Sequence, residues 1–434
     1  MEQRVRIERL VHEGYGLGYL NGRVIFVPHV IPGEELEVEV ISVRKGVQWG
    51  KIKRILVPSP QRVAPFCPNY IACGGCEWQH IAYPAQLEYK RQILEDTLMH
   101  LGGLKDIAVK PCIRSPSQRG CRSRVRLHWQ DKAGLGYYRP RSHEVISIET
   151  CPLLTEGINT CLQRLSAYLR FYPLKGLNEV QMMEGTDSQV IITLLFRFWP
   201  EYHNWIKNIE EIEAAGVVVV AGDRRQTVAG WDYANIATTG WNFRVSAGAF
   251  FQANIGLLPI MMQQVVEPVE SGIIGAELYS GVGVFSLPLS RKLDKLMAVE
   301  WNRRAAADAL ANLSANKINN IAVYALSAED GLALLSSRNI RPDLIAADPP
   351  REGMSETVRR GILKLSPRQI LYISCNPATL ARDLKTLSAG NSYRLTEIQP
   401  LDMFPHTSHI ETISALEPDS GFAVIPGESG RCWL

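Results

Sequence analysis

Five short apolar runs in the second half of the chain constrain its fold more than any other feature. They lie at residues 275–279, 296–300, 321–324, 344–348 and 370–374. Each run has the length of a buried strand, and each gap between runs is long enough for a helix. Strands that alternate with helices build a parallel sheet with helices on both faces. We therefore predict a doubly wound, Rossmann-like α/β domain over residues 250–434.

A cysteine directly follows the last of these apolar runs. Residues 370–374 read as a buried strand, and Asn376-Pro377 reads as a turn at its carboxyl end. Ligands of open α/β sheets bind at that edge, so Cys375 is placed to act as a nucleophile. A buried cysteine that packs as a small apolar side chain is the alternative, and it is the commoner case without further signals.

Glycines and acidic residues follow three of the other runs. The turn at residues 277–285 contains Gly281 and Gly283, which let a ligand approach the backbone. Glu300 ends the next run, where a carboxylate can accept hydrogen bonds from ribose hydroxyls. The turn lacks the third glycine that a dinucleotide pyrophosphate requires, which favours S-adenosylmethionine over NAD. Asp348 precedes two prolines, and their rigid turn aims its carboxylate into the same crevice.

The first 58 residues have strand-like runs without a helical pattern. The runs lie at residues 5–7, 23–27, 36–40 and 49–56, and the glycine-rich segment 14–18 reads as a turn. Such a pattern predicts a five-stranded OB-like barrel, which commonly binds nucleic acid but also serves as a plain scaffold. The segments at 14–16, 25–28 and 32–34 resemble those of the TRAM domain of RNA-modifying enzymes.

Three closely spaced cysteines, Cys67, Cys73 and Cys76, indicate a metal site. The glycines before Cys76 would let the chain wrap closely around a metal centre. We predict Cys151 as the fourth ligand because a proline follows it, as one follows Cys67. The alternatives for the fourth ligand are Cys112, Cys121 and Cys161. Four thiolates suit either zinc or an iron–sulfur cluster, and their spacing does not separate the two.

A central region over residues 59–249 contains the cysteines and an excess of basic side chains. One amphipathic helix is predicted from Tyr83 through Leu101. The basic residues lie between Arg119 and Arg141, where the alternation of residues 123–129 predicts a strand with its arginines on one face. That face either meets phosphates or is simply solvated, and the sequence favours neither reading.

Two further groups of residues suit a nucleic-acid enzyme. Phe250 and Gln252 place an aromatic ring beside an amide, as a flipped-out base requires, although ordinary packing is the alternative. His406 and His409 have the side chains of metal ligands but no evident third partner. Glu411 would be a general base if the fold brings it to the nucleophilic cysteine.

The rest of the sequence bounds the class of protein. The net charge is +3, the amino terminus has no apolar signal segment, and the longest apolar run, at 217–220, is too short to span a bilayer. We expect a cytoplasmic, monomeric protein that does not bind membranes.

Taken together, these motifs resemble the RNA (uracil-5-)-methyltransferase family, which uses S-adenosylmethionine. The resemblance implies that Cys375 attacks the uracil ring and that Glu411 accepts the proton from carbon 5. It implies a cofactor pocket completed by four side chains: Gln252, Tyr279, Glu300 and Asp348. It also implies a [4Fe–4S] cluster held by four cysteines: Cys67, Cys73, Cys76 and Cys151.

The sequence departs from the family pattern at the cofactor turn and leaves the substrate open. Ser280 stands where many members have cysteine, and Glu277 where they have aspartate. The TRAM-like module and the cysteines favour 23S ribosomal RNA as substrate, with transfer RNA second. An RNA cytosine-5 methyltransferase would need a second catalytic cysteine, and Cys432 lies too near the tail to serve. A non-catalytic iron–sulfur RNA-binding protein would not need both Cys375 and Glu411.

Overall fold

The amino-terminal part of the chain forms a closed barrel of five strands in the order β1-β2-β3-β5-β4. The structure is a computed structural model that describes residues 3–105, 107–201 and 204–419. The barrel strands are β1 (Arg4–Leu10), β2 (Gly16–Leu20), β3 (Arg23–Val27), β4 (Glu35–Arg44) and β5 (Val47–Val57). Alternate apolar side chains of these strands, including Val5, Ile7 and Ile25, fill the interior. The predicted five-stranded barrel is confirmed.

The second barrel strand lies where the sequence predicts a turn. Residues 16–20 pair with β1 on one side and β3 on the other. Glycine is needed here for space: a Cβ on Gly16 would lie 2.1 Å from the Val30 side chain, and one on Gly18 would lie 2.6 Å from the Arg6 carbonyl. The turn prediction was therefore wrong for residues 16–18, where the glycines allow close packing of strands, whereas Gly14, with a φ of 80°, does end a turn.

A cysteine-rich segment without helix or strand leads from the barrel to helix α1 (Tyr83–His100). The predicted helix is confirmed, with Pro84 in its first turn, where proline fits. Its buried face carries polar groups, Gln86 and Lys90, as well as Ile93 and Leu94. Helix α1 is thus built to contact polar backbone as well as the apolar core.

The central region is a seven-stranded sheet packed against one long helix. Its elements are β6 (Arg124–Gln130), β7 (Gly134–Tyr138), β8 (Val145–Ser147), α2 (Glu156–Phe171), β9 (Leu177–Glu184), β10 (Val190–Phe196), β11 (Gly216–Ala221) and β12 (Arg224–Gly230), in the strand order β12-β11-β10-β9-β6-β7-β8. The hairpin of β13 (Tyr233–Thr238) and β14 (Trp241–Ser246) follows. Strand β6 buries Val125, Leu127 and Trp129 and turns Arg124 and Arg126 to the other face, as its alternation predicts.

The carboxyl-terminal part is the predicted α/β fold. Its elements are α3 (Leu258–Val266), β15 (Ile273–Leu278), α4 (Ser286–Leu289), β16 (Leu293–Val299), α5 (Arg303–Ala315), β17 (Ile321–Tyr324), α6 (Ala328–Ser337), β18 (Leu344–Ala347), α7 (Glu356–Leu365), β19 (Gln369–Ser374), α8 (Pro377–Leu387), β20 (Tyr393–Leu401) and β21 (Glu411–Pro418). The strand order is β17-β16-β15-β18-β19-β21-β20. The first five strands in this order are parallel, and β21 pairs antiparallel with both β19 and β20. Within the described residues, no helix is long and apolar enough to cross a membrane.

Candidate active site

The nucleophile candidate and the base candidate lie near each other at the carboxyl end of strand β19. Strand β21 runs antiparallel to β19, and Ser374 pairs with Thr412 at the end of the ladder. Cys375 follows the last residue of β19, and Glu411 is the first residue of β21. Cys375 is half-buried, and the Glu411 side chain is 3% exposed. The antiparallel register therefore brings together two groups that are distant in sequence.

The backbone after Cys375 is locked by a helix cap. The Asn376 side chain accepts a hydrogen bond from the Ala378 amide at 3.0 Å and so caps α8. Its Nδ2 donates to the Arg351 carbonyl at 3.1 Å, which ties the strand end to the loop after β18. The predicted turn at Asn376-Pro377 is therefore the start of a helix. A helix amino terminus stabilises negative charge, so this position favours a thiolate at Cys375.

Four ionisable groups lie close enough to influence one another at this edge. Burial, together with the nearby Glu411 and Asp348 and against the opposing charge of Arg351, raises the pKa of the Cys375 thiol to about 11. Burial also raises the pKa of Glu411 well above its ordinary value, with Asp348 raising and Arg351 lowering it. The pKa of Asp348 rises to about 7 through burial. The guanidinium of Arg351 is therefore the cation that favours the ionised forms of both Cys375 and Glu411.

The turn after β15 and the end of β16 form the candidate cofactor site. Glu300 is 7% exposed, and its two carboxylate oxygens accept hydrogen bonds from the amides of Gly281 at 2.9 Å and Asn302 at 2.7 Å. Gly281 has a φ of 56°, and the space where its side chain would point is open. Tyr279 also has a positive φ of 62°, a conformation that non-glycine residues keep mainly at functional sites.

Several buried carboxyl groups lie close together at this site. Glu277 is 2% exposed, and burial, with the nearby Asp348 and Glu300 and against a hydrogen bond from Ser286, raises its pKa to about 8. Ser280, in the same turn, has a buried hydroxyl without a hydrogen-bond partner in the structure. Three converging carboxyl groups, an open glycine turn and an unpartnered hydroxyl fit S-adenosylmethionine, which carries a sulfonium and an ammonium charge.

Cys375 is reached through a cleft where three parts of the chain meet. The barrel contributes His12 and Tyr15, the central region contributes Arg141, and the α/β domain contributes Arg351. Further lining residues include His29, Cys76, Glu77, Asn376, Ser408 and His409. The nucleophile candidate therefore faces a shared cleft whose sides carry two arginines.

The four predicted metal-binding cysteines line one small cavity in the central region. Cys67, Cys73, Cys76 and Cys151 surround it together with Arg122 and Tyr137. Cys121 and Cys161, two of the alternatives, are buried elsewhere, and Cys112 is half-buried in another loop. The Arg122 Nε is buried beside these thiols without a hydrogen-bond partner.

These cysteines do not form a finished site for a metal ion in the structure. Across residues 3–105, 107–201 and 204–419, no group of three or more His, Cys, Asp or Glu side chains is arranged to hold one. The shared cavity and the buried Arg122 guanidinium beside it nevertheless fit an anionic thiolate-bound group. A metal centre with four thiolates would place negative charge beside this guanidinium.

Comparison with known proteins decides the family. A family model described as tRNA (Uracil-5-)-methyltransferase matches residues 82–418, and a TRAM domain model matches residues 1–53. The chain belongs to the tRNA (uracil-5-)-methyltransferase family. It is thus an S-adenosylmethionine-dependent RNA methyltransferase of the uracil-5 type, with an RNA-binding TRAM domain.

Similar proteins cover nearly the whole length of this methyltransferase. It is 33% identical to an uncharacterized RNA methyltransferase of Thermosynechococcus vestitus, over 95% of this chain and 97% of the relative. It is 31% identical to one of Halalkalibacterium halodurans, over 95% and 96%. The solved tRNA (uracil-54, C5)-methyltransferase of Pyrococcus abyssi, in complex with S-adenosyl-L-homocysteine, superposes with a TM-score of 0.75 at 26% identity and covers 95% of this chain and 99% of its own.

The residues around Phe250 divide between surface and core in the methyltransferase. Phe250 is 64% exposed, and the Arg124 guanidinium lies 5.4 Å from its ring centre. Gln252 is buried in the loop between β14 and α3. The Asn254 amide donates to Ser115 Oγ at 2.8 Å and to the Met403 carbonyl at 3.3 Å. Phe250 is thus free to stack on a base, whereas Asn254 is used to hold the fold.

The basic run supplies both surface and structural contacts. Arg126 pairs with Glu179 at 2.9 Å, and Arg124 lies by Phe250 on the same strand face. The Arg141 guanidinium reaches the barrel, where it lies 4.7 Å from the Tyr15 ring and 4.5 Å from the Trp49 ring. The single solvated or phosphate-binding face predicted for the run is therefore too simple, because some of these arginines join parts of the chain.

His406 takes a structural role in the methyltransferase. Its Nδ1 lies 3.1 Å from the Gln86 amide nitrogen, and its backbone amide donates to Gln86 Oε1 at 3.0 Å. The ring is buried, and His409 lies in the cleft wall. No third ligand joins them in the described part of the chain, so the metal-ligand interpretation of this pair gains no support.

Sequence reasoning missed the part that Arg351 plays in the methyltransferase site. No role was assigned to it from the sequence, yet its charge acts on both Cys375 and Glu411. A signal was present: a basic residue follows the rigid Asp348-Pro349-Pro350 turn at the ligand edge of the sheet. No such sequence signal marked Lys90 and Asp402, which form a buried ion pair.

Proposed function

We propose that this enzyme methylates carbon 5 of a specific uridine in 23S ribosomal RNA, acting as a cytoplasmic monomer. The observation that carries the proposal is the position of Cys375 and Glu411, which flank the last pair of the β19–β21 ladder and lie within electrostatic range of each other. A nucleophile and a base at one strand end, beside an acidic cofactor crevice, suit covalent catalysis on a pyrimidine ring.

The reaction begins with Cys375 because carbon 5 of uracil is a poor nucleophile. The thiolate adds to carbon 6, and the electron pair of the ring double bond moves toward the O4 oxygen to give an enolate. Carbon 5 then has the electron density to accept a methyl group. The Arg351 charge and the α8 amino terminus favour the thiolate form of Cys375, against burial and the nearby Glu411 and Asp348, which favour the thiol.

Glu411 completes the reaction by accepting a proton. Carbon 5 carries both a methyl group and a proton after the transfer, and the sulfur–carbon bond breaks only when the proton leaves. The raised pKa of Glu411 makes its carboxylate a stronger base than an exposed glutamate. Loss of this proton restores the ring double bond and frees the enzyme.

The cofactor crevice holds S-adenosylmethionine in this proposal, with Gln252, Tyr279, Glu300 and Asp348 as its contacts. When bound, the cofactor supplies an electrophilic methyl group. The Glu300 carboxylate is already held by two backbone amides, so its remaining lone pairs can accept hydrogen bonds from ribose hydroxyls. The Asp348 carboxylate would interact electrostatically with the cationic end of the cofactor.

The RNA would lie across the cleft between the barrel and the α/β domain. The target uridine must leave its stack, at a cost of a few kcal/mol, before it can reach Cys375. Phe250 offers an exposed ring on which an unstacked base can lie, and Arg124 places a cation beside it. The TRAM domain would hold the surrounding RNA.

Nucleoside mass spectrometry tests the substrate. We expect 5-methyluridine in 23S ribosomal RNA to fall when the gene is deleted and to return when it is restored, with 5-methyluridine in transfer RNA unchanged. Transfer RNA is the second candidate because the similar Pyrococcus abyssi enzyme is named for uridine 54 of tRNA. If 5-methyluridine is lost from transfer RNA alone, transfer RNA is the substrate. If 5-methyluridine is lost from neither RNA, the proposal is contradicted.

The four cysteines hold a [4Fe–4S] cluster in this proposal. We expect Cys151→Ala to lose most of its iron and acid-labile sulfide, because a cubane cluster needs a thiolate at each corner. Metal analysis of anaerobically purified protein measures this loss. Cys161→Ala is the matched control, since its thiol is buried in α2 apart from the cavity. Zinc in place of iron in the wild-type protein would contradict the assignment.

A further inference from the structure

The loop between β20 and β21 is held by a lysine without any exposed surface. Lys90, on α1, and Asp402 both have side chains that are 0% exposed, and Lys90 Nζ lies 2.5 Å from Asp402 Oδ1. Burying two charges is costly unless their geometry and remaining hydrogen bonds are good. A buried pair of this kind therefore calls for an explanation beyond ordinary packing.

The three protons of the Lys90 ammonium group have three acceptors. Besides Asp402, Nζ donates to the Phe404 carbonyl at 3.1 Å and to the His409 carbonyl at 2.7 Å. Asp402 and Phe404 begin the loop, and His409 ends it two residues before Glu411. One cation thus fastens both ends of the same loop.

Gln86, one helical turn before Lys90, holds the middle of the loop. Its side chain accepts from the His406 amide at 3.0 Å, and its Nε2 lies 3.1 Å from His406 Nδ1. His406 has a positive φ of 65°, a conformation that needs such external support. The amide of Gln86 also donates to the Ile81 carbonyl at 2.8 Å, ahead of the helix. Two side chains of α1 therefore fix the loop at its start, centre and end.

The loop determines how the chain enters β21 at Glu411. Glu411 is the first residue of that strand and pairs with Leu401 of β20, so its backbone position depends on this pairing and on the loop that joins the two residues. The Lys90–Asp402 pair is not fully satisfied, since Asp402 Oδ2 is buried without a hydrogen-bond partner. Buried pairs that are imperfect for stability are sometimes kept because they select one conformation.

We propose that Lys90 is a positioning residue that holds the Glu411 carboxylate where it can take the proton from carbon 5. The inference rests on the proposed role of Glu411. We expect that loosening the loop slows release of the methylated RNA from Cys375 and leaves the earlier attack by Cys375 nearly unchanged. Gln86 supports the same loop from the same helix.

The test separates the two steps with two RNA substrates. With 5-fluorouridine at the target position, the methylated adduct carries no proton on carbon 5, so adduct formation reports attack and methyl transfer alone. With natural uridine, adduct decay reports removal of the proton by Glu411. Single-turnover reactions quenched into denaturing gels measure both rates.

The variant is Lys90→Met combined with Asp402→Asn, which removes both charges so that neither is left buried and unpaired. We expect adduct decay on natural RNA to slow by about tenfold to a hundredfold, as displacement of a catalytic group by about 1 Å can do. The 5-fluorouridine adduct should form within about threefold of the wild-type rate. Gln86→Met, which changes no charge, should slow decay in the same selective way even if the double variant does not fold.

Arg62→Met is the matched control for a general loss of stability. Arg62 pairs with the fully buried Glu34 at 2.6 Å beside the barrel and does not touch the loop. It should lower the unfolding temperature without changing the ratio of decay rate to attack rate. Equal slowing of both steps in the loop variants, or no slowing of decay, would overturn the inference.

The Glu411→Gln variant shows whether a negative result disproves only the positioning role of Lys90 or also the proposed function. If Glu411→Gln traps the adduct and the loop variants do not, Lys90 has no positioning role and the function stands. If Glu411→Gln itself fails to trap the adduct, the role of Glu411 is wrong, and the inference about Lys90 is overturned with it.

Discussion

Replacing Cys375 with alanine is expected to abolish methylation of the target uridine. Without the thiolate, carbon 5 keeps its low nucleophilicity, and loss of a catalytic nucleophile typically lowers turnover by a factor on the order of 10⁴ or more. Transfer of labelled methyl groups from S-adenosylmethionine to RNA measures the effect. Cys375 is only half-buried, so the free energy of unfolding should change by about 1 kcal/mol or less.

Two controls make this result specific. Cys161→Ala removes a buried thiol from α2, far from the sheet edge, and should keep wild-type turnover. Cys375→Ala should still bind S-adenosylmethionine in calorimetry, because the crevice at Glu300 and Asp348 is intact. Substantial methylation by Cys375→Ala would contradict covalent catalysis by this residue.

Replacing Glu411 with glutamine is expected to trap the enzyme on its RNA. Glutamine keeps the size of this buried side chain but cannot accept the proton, so the methylated adduct forms and persists. Turnover should fall by about a thousandfold, within the range for loss of a general base. Denaturing gel electrophoresis with labelled RNA measures the adduct, and the labelled methyl group should reach about one per enzyme.

Glu417→Gln serves as the control on the same strand. Glu417 lies near the end of β21 and pairs with Arg394 at 3.4 Å on the surface, away from Cys375. This variant should turn over normally and accumulate no adduct. Normal turnover by Glu411→Gln would show that another group removes the proton.

Local pattern was enough to predict most of the fold. The five parallel strands, helix α1 and the β6 alternation depend on residues that are neighbours in sequence, and each was found where predicted. The exceptions depend on distant partners. Gly16 and Gly18 resemble a turn until β1 packs against them, and the antiparallel β20–β21 pair is fixed by its neighbour β19.

Most residues of the candidate site could be predicted from the sequence, but their arrangement in space could not. Strand ends identified Cys375, Glu300 and Asp348, because the carboxyl edge of a parallel sheet is a recurring ligand site. That Glu411 faces Cys375 follows from the β21 register, which no local pattern encodes. The Lys90–Asp402 contact joins residues 312 apart in sequence, and only the assembled structure reveals it.

The most direct test of the central claim is tritium release from RNA that carries [5-³H]uridine at the target position. Methylation at carbon 5 must expel that hydrogen, so the wild-type enzyme should release one tritium into water for each methyl group transferred. Glu411→Gln should transfer its methyl group while it retains the tritium, and Cys375→Ala should do neither. Methyl transfer by the wild-type enzyme without tritium release would place the methyl group elsewhere and contradict the account.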